Sequence, residues 1–357
     1  GILIKSPGDV VVTGGTSAAA QRTLQSNGQP ITIWSNADAS GTGAIYLDQY
    51  SAINSAGGAT TATAAGGAIT LAGGADTNSD GVPDGNALAP GTGGVPGVSF
   101  GRSYNTGLAH SALTSVASSI KIYAGTSTLT ARGESTMGPG VWVGPGTTVL
   151  TGGKQTYVGV ESGNSATNSA TYGHGILFGY ASSTVSIDIT SAATTGTAID
   201  IQGTNSRTGG SEFGVNFNQS STGFASIVAS GGGDIKVAGT AGVSTNAGVY
   251  VKYTNILAAN GAISIDSNNM LSTNNAFYGA KAGSTVTSDS GAITVTSDAE
   301  DFTSAYANTT GIVTILPKTA STQFDLGTET TGKVSLTSAE LANITAGTLR
   351  IGDGNNS

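Results

Sequence analysis

Short stretches in which aliphatic and small polar residues alternate recur along the whole chain, most of them opened by a glycine. They read "GQPITI" (28–33), "GAIYL" (43–47), "GAITL" (67–71), "SIKIY" (119–123), "STVSIDI" (183–189) and "GTAIDI" (196–201), then "GDIKV" (233–237), "GAISI" (261–265), "GAITV" (291–295), "GKVSL" (332–336) and "GTLRI" (347–351). A period of two over five residues is the pattern of a half-buried strand. β-Branched residues hold most of the apolar places, as strands favour.

The spacing adds a second level. Gly233, Gly261 and Gly291 are 28 and 30 residues apart. About 14 residues after each lies another strand-like patch: "AGVYV" (247–251), "AFYGA" (276–280) and "SAYA" (304–307). Shorter third patches follow, "NILA", "STVTS" and "GIVTIL". A unit of two or three short strands cannot bury its own apolar stripe, whereas stacked copies can. With no helical segment to serve as a crossover, the predicted fold is all-β, a parallel β-solenoid. Ile263 and Ile265 are expected to point inward, with Ile293 and Val295 on one side and Ile235 and Val237 on the other. Ser264, Thr294 and Lys236 are expected to face outward. At about 20–30 residues per coil and about 4.8 Å per coil, the chain would make roughly 12–17 coils and a rod about 60–80 Å long. The competing architecture is an antiparallel sandwich or barrel, which also shows short strands at turn-rich spacing. A sandwich favours Asn-Gly hairpins between two alternating strands. Here Asn27-Gly28 and Asn260-Gly261 both stand just before the repeated strand, where a coil corner would place them.

The whole chain, 1–357, reads as a single solenoid domain. Its rhythm breaks over 73–118, a Gly/Pro-rich insertion with Pro83, Pro90 and Pro96, and again over 203–212. Both ends, "GILIKSPGDVVVTGG" and "GTLRIGDGNNS", read as cut from something longer.

Composition narrows the function. There are 56 Gly among 357 residues, only 10% are charged, and the residues that build exposed helix faces are scarce. The absence of cysteine excludes a disulfide framework, a thiolate metal site and a cysteine nucleophile. A net charge of −8 repels phosphate backbones, so nucleic acid is not an expected partner. No apolar run is long enough for a transmembrane helix, and no membrane insertion is expected.

The stretch "LTSAELANITAGTLRIGDGNNS" (336–357) resembles a phrase repeated in very large bacterial surface proteins of the filamentous haemagglutinin-like adhesin family. The matching positions are Leu336, Ala339, Glu340, Leu341, Ile344, Thr345, Ala346, Gly347, Thr348, Leu349, Ile351 and Gly352. The close match covers about 20 residues, and the looser "GAITV" style covers most of the chain. The resemblance implies a right-handed parallel β-helix that is secreted, stands at the bacterial cell surface and serves as an adhesin rod or extracellular fibre. The amino-terminal secretion domain of that family is not recognised in this sequence. The expected partners are other copies of the chain, through fibre or end-to-end stacking, and host or surface glycans.

Candidate chemistry is concentrated in "GADTNSDGVPDGNA" (74–87). Asp76, Asn78, Asp80 and Asp84 can converge on one hard cation, Gly81 permits the sharp bend, and Val82 can offer its carbonyl. Position twelve is Ala87 rather than Glu, so the loop is no complete EF-hand. It resembles the calcium loops of dockerins and thrombospondin-type repeats. Ca2+ is the expected ion; the alternative is a set of Asx-turns with no metal. The histidines are His110 and His174, and His174, beside a strand in "YGHGILFG", reads as structural or exposed rather than as a general base. Asp298, Glu300 and Asp301 read as a solvated acidic corner, with a second cation site as the alternative. Asp188 with Asp200, and Asp234 with Asp266, carry the alternative function of a polysaccharide-active β-helix enzyme. Tyr250, Tyr253, Phe277, Tyr278 and Tyr306 read as an aromatic ladder.

Overall fold

The computed structural model describes residues 1–91, 94–101, 118–163, 173–179, 183–207, 212–219, 222–242, 247–269, 277–278, 284–302, 305–330 and 332–352. His110 lies outside these residues. The described strands fall into a 20-stranded sheet, a nine-stranded sheet and a separate pair. Every strand-to-strand pairing is parallel. The protein is a parallel β-solenoid.

Three ladders of rungs make its faces. In the first, one inward column runs Ile2, Ile31, Ile69, Leu129, Gln155, Ile199, Ile235, Ile263, Ile293, Val313 and Leu349. The next inward column runs from Ile4 through Ile33, Leu71, Ala131, Tyr157 and Ile201 to Ile351. The register expected from the sequence is the register observed: Ile235 pairs with Ile263, and Ile263 with Ile293. Lys236, Ser264 and Thr294 face outward between them.

The second ladder begins at Arg22–Gln25 and Ser51–Asn54 and continues to the strand Ala305–Leu316, which bends from the second ladder into the first. The third ladder starts at Val10–Val12 and ends at Glu300–Asp301. Its inward positions include Val98, Val141, Ile176, Val215 and Val249. Its outward positions are not solvated. Tyr46, Ser99, Trp142, Leu177 and Asn216 are buried, and Tyr46 packs with Ala44, Ala89 and Val95 in a small second cluster.

The coils are fewer and less even than the repeat length implied. The column above holds eleven rungs, which spans about 50 Å at strand spacing. The chain needs 30 positions to pass from Ile263 to Ile293 but 60 to pass from Ile69 to Leu129. Insertions at the corners use the residues that a uniform repeat would have spent on extra coils.

The long insertion is itself divided. The strand Ile69–Gly73 leaves the first ladder at Gly73, and the chain rejoins the same rung at Ala87–Leu88, whose partners are Gly133 and Glu134. Residues 74–86 therefore form a loop spliced into one rung, while Val98–Phe100 returns to the third ladder. Within 203–212, residues 203–205 are part of the strand Thr197–Asn205.

Glycine has a packing role beyond turns. A Cβ on Gly261 would stand 2.1 Å from the Gly233 carbonyl oxygen, and one on Gly291 would stand 2.1 Å from that of Gly261. The recurrent glycine before each strand lets one coil's backbone nest on the previous one. A second column, Gly133, Gly159, Gly203 and Gly239, lies against the carbonyls that lead into the third ladder and has equally little room for a side chain.

Candidate functional site

The aspartate-rich loop folds around its own amides. Asp76 accepts from the backbone N–H groups of Asp80 (3.1 Å) and Gly81 (2.9 Å). Asp80 Oδ1 accepts from Val82 N–H at 2.8 Å, and Asn78 Oδ1 from Asp80 N–H at 3.0 Å. Asp84 Oδ2 accepts from Thr77 N–H (2.7 Å) and Thr77 Oγ1 (2.6 Å). The Thr77 hydroxyl, then its N–H, hold the Asp84 carboxyl below the usual carboxylate range. Gly81 has φ +84, the left-handed conformation that the sharp bend needs. Asp76, Asn78, Asp80, Val82 and Asp84 thus share one exposed turn, with the carboxylates directed at the loop's N–H groups. Among the described residues, no three acidic or imidazole side chains form a ready-made metal cage. Trp34 ties the base of the loop to the rod, its indole N–H donating to the Gly74 carbonyl at 2.7 Å.

A denser cluster sits where the first ladder turns toward the third. Arg207 is fully buried. Its Nε donates to Glu161 Oε1 and its Nη1 to Glu212 Oε1, each at 2.9 Å. Nη2 reaches the Thr136 carbonyl at 3.4 Å. Gly163 N–H also donates to Glu161 Oε1, at 3.0 Å, while the buried Glu161 Oε2 has no hydrogen-bond partner among the described residues. Burial outweighs the guanidinium and pushes the Glu161 carboxyl up to about 7; Glu212 is raised for the same reason.

His174 adjoins this cluster and is buried and neutral. Burial first, then the charge of Arg207, pushes the imidazole down to about 3. Its Nδ1 accepts from Phe213 N–H at 3.0 Å, so Nε2 carries the proton. Asn216 Nδ2 is placed 2.9 Å from Nε2, and because that nitrogen is then a donor the contact becomes a hydrogen bond when the Asn216 amide is flipped so that Oδ1 accepts. The imidazole stacks on Phe213 (5.7 Å between ring centres), which stacks on Tyr250 (4.6 Å). This histidine is a structural one.

The carboxylate pairs of the enzyme reading do not meet. Asp188 lies on the second ladder, between Thr148 and Ser226. Asp200 lies on the first, beside Lys236, and is paired with Lys154 at 2.7 Å. Asp234 accepts from Ala262 N–H at 2.8 Å, whereas Asp266 pairs with Lys318.

The acidic corner is not solvated. Glu300 is 1% exposed and Asp301 9%. Both lie in the third ladder, and Glu300 occupies its inward column after Val249 and Phe277. Asp298 accepts from Thr319 N–H (2.7 Å) and Thr319 Oγ1 (2.6 Å). The corner reading fails because strand parity, rather than charge, decided which way Glu300 points.

The aromatic ladder is built largely from other residues. Inside the rod, Tyr157 packs edge-on to Phe178 (5.8 Å), and Phe178 stacks on Phe217 (4.9 Å). Tyr250 joins the outer stack, Tyr253 packs edge-on to Phe224, and Tyr306 is 48% exposed. The side chains of Phe277 and Tyr278 lie outside the described residues. Arg207, Glu161 and Glu212 went unnoticed in the sequence. The available signal was parity: in "QTYVGVE" (155–161), Glu161 falls on the same face as Tyr157.

No family model matches the chain, and neither a curated protein nor a solved structure matches it. The class rests on the fold: a parallel β-solenoid whose core runs from Val10 to Leu336 without interruption.

Proposed function

We propose that this chain is the rod of an extracellular structural or adhesive protein of the bacterial surface, and that its work is mechanical. The observation that carries this reading is the unbroken inward column from Ile2 to Leu349, which couples every coil to its neighbours through parallel hydrogen bonds. A stack of this kind holds its faces and corner loops at fixed spacing along one axis. The phrase at 336–352, similar to that of large surface adhesins, supports the extracellular setting.

The rod lengthens by adding rungs. Among the described residues, the outer edges of Ile2–Lys5 and Ile344–Ile351 have no strand partner, and Leu3 and Leu349 beside them are 57% and 38% exposed. Unpaired edges of this kind recruit further strands, and another copy of the chain is the proposed partner. Electron microscopy of purified protein tests this: fibres, or rods in multiples of about 50 Å, are expected. Single short rods at high concentration would remove the self-association part of the reading.

Calcium is proposed to rigidify the loop at 74–86, with Asp76, Asn78, Asp80, Asp84 and the Val82 carbonyl as ligands. The ion would replace the loop's N–H groups as the partner of these oxygens. Calorimetric titration of calcium into chelator-treated protein should give saturable heat, and Asp80→Asn should reduce it.

A further inference from the structure

The junction at Glu300–Asp301 buries the Glu300 carboxyl, to which no cation is bonded among the described residues. Glu300 stands in a column otherwise filled by residues such as Val215 and Val249, and among the described residues neither of its carboxylate oxygens has a hydrogen-bond partner. The strand Val334–Thr337 packs beside it, with Val334 and Leu336 fully buried.

Among the described residues, the charged groups that act on Glu300 are acidic: Asp298 from its own segment, Glu340 from the helix Ser338–Leu341, and Glu329 from the connection between Phe324–Gly327 and Val334–Thr337. Burial first, then these three charges, push its carboxyl well above the usual carboxylate range. Glu340 is already engaged. Its Oε1 accepts from Phe302 N–H at 3.0 Å, and its Oε2 accepts from Thr337 N–H at 2.9 Å in a capping box. Asn343 Nδ2 donates to the Phe302 carbonyl at 2.7 Å. The segment from Val334 to Asn343 is therefore clipped onto the strand end at Phe302, directly beside an unbalanced carboxyl. Among the described residues these carboxylates are not gathered as a metal cage, and a proton can neutralise a carboxyl buried in this way.

We propose that Glu300 is a proton-operated latch: protonated, it lets the segment 334–343 close over the end of the third ladder, and ionised, it releases that segment. A carboxyl raised in the closed state stabilises closure in full below its unfolded value of about 4.5, and that contribution is lost as pH rises through its folded value. Local opening therefore rises about tenfold per pH unit across this window.

Hydrogen exchange of peptides spanning 334–343 in the full chain tests the latch. Native protein and Glu300→Val are compared from pH 5 to pH 9, so that the ratio of their rates cancels the chemical pH dependence of exchange. The native-to-variant ratio should climb about tenfold per pH unit before levelling off. Glu300→Gln, closer in shape, should behave like the valine variant and serves if valine disturbs the coil. A ratio that stays constant with pH for both variants overturns the proposal. So does opening of the native segment by a chelator at pH 5, because a metal ion would then be the neutralising partner.

Discussion

Glu161 and Glu212 share a guanidinium; among the described residues, Glu300 faces other carboxylates. Both sites are buried, and both raise carboxyl groups above their usual range through loss of water. They differ in position. The Arg207 cluster bridges three successive corners in the middle of the rod, where coils continue on both sides. Glu300 occupies the last described rung of the third ladder, beside a segment held by the burial of Val334 and Leu336 and by a few side-chain hydrogen bonds. In the middle of a stack, an unbalanced charge can be relieved only by disrupting several coils. At the end of a ladder, one short segment can lift away. Opposite outcomes follow from similar chemistry: the central cluster fixes the corners, and the terminal carboxyl makes its segment conditional on pH.

The largest expected effect comes from removing Arg207, the cation bonded to both carboxylates of the central pair. Arg207→Met leaves two carboxylates buried and is expected to cost about 3–5 kcal/mol, read as a lower urea midpoint. Adding Glu161→Gln and Glu212→Gln to that variant should restore most of the loss. If the triple variant is as unstable as the single one, packing of the Arg207 side chain matters and its charge does not.

The next effect is in the pH dependence of thermal unfolding. The folded value of Glu161, about 7, lies above its unfolded value of 4.5. Its contribution is therefore complete below about pH 4.5 and declines as pH rises through 7, by at most about 3 kcal/mol. Glu161→Gln should flatten this limb. His174 works in the opposite sense: its folded value, about 3, lies below 6.5. Stability from the neutral imidazole is complete above pH 6.5 and is lost as pH falls toward 3. His174→Phe should lose about 1–3 kcal/mol at pH 7, because Phe213 N–H and Asn216 are left unpaired. The difference between the two proteins should then shrink as the solution is acidified. A difference that does not change with pH would show that the imidazole titrates alike in the folded and unfolded chains and is not held neutral by burial.

The column of apolar positions was legible in the sequence because a strand repeats every two residues and a coil repeats the strand. Ile235, Ile263 and Ile293 needed nothing more. Coil length was not legible, since a corner insertion changes the spacing without altering the rungs on either side, as between Ile69 and Leu129. The buried charges were misjudged for a different reason. Charge is a strong prior for exposure, and it outweighed the parity that places Glu161 with Tyr157 and Glu300 with Val249. Arg207 follows a strand in a polar, glycine-rich stretch, and only the three-dimensional meeting of separate corners shows what it bridges.

The smallest expected effect on the rod lies in the loop at 74–86, which supplies the third term of the comparison: carboxylates left in water. The loop leaves and rejoins a single rung between Gly73 and Ala87, so its internal order does not decide whether coils stack. Asp84→Ala removes the acceptor that gathers Thr77 and Asn78 N–H groups. Water can replace that acceptor for exposed donors, so the rod's melting temperature should stay unchanged while proteolytic cleavage within 74–86 speeds up. Calcium should slow cleavage in the native chain and leave the variant unaffected. If Asp84→Ala instead lowers the melting temperature as much as Arg207→Met does, the loop clamps the rung through Trp34 and Gly74, and exposure no longer separates it from the two buried sites.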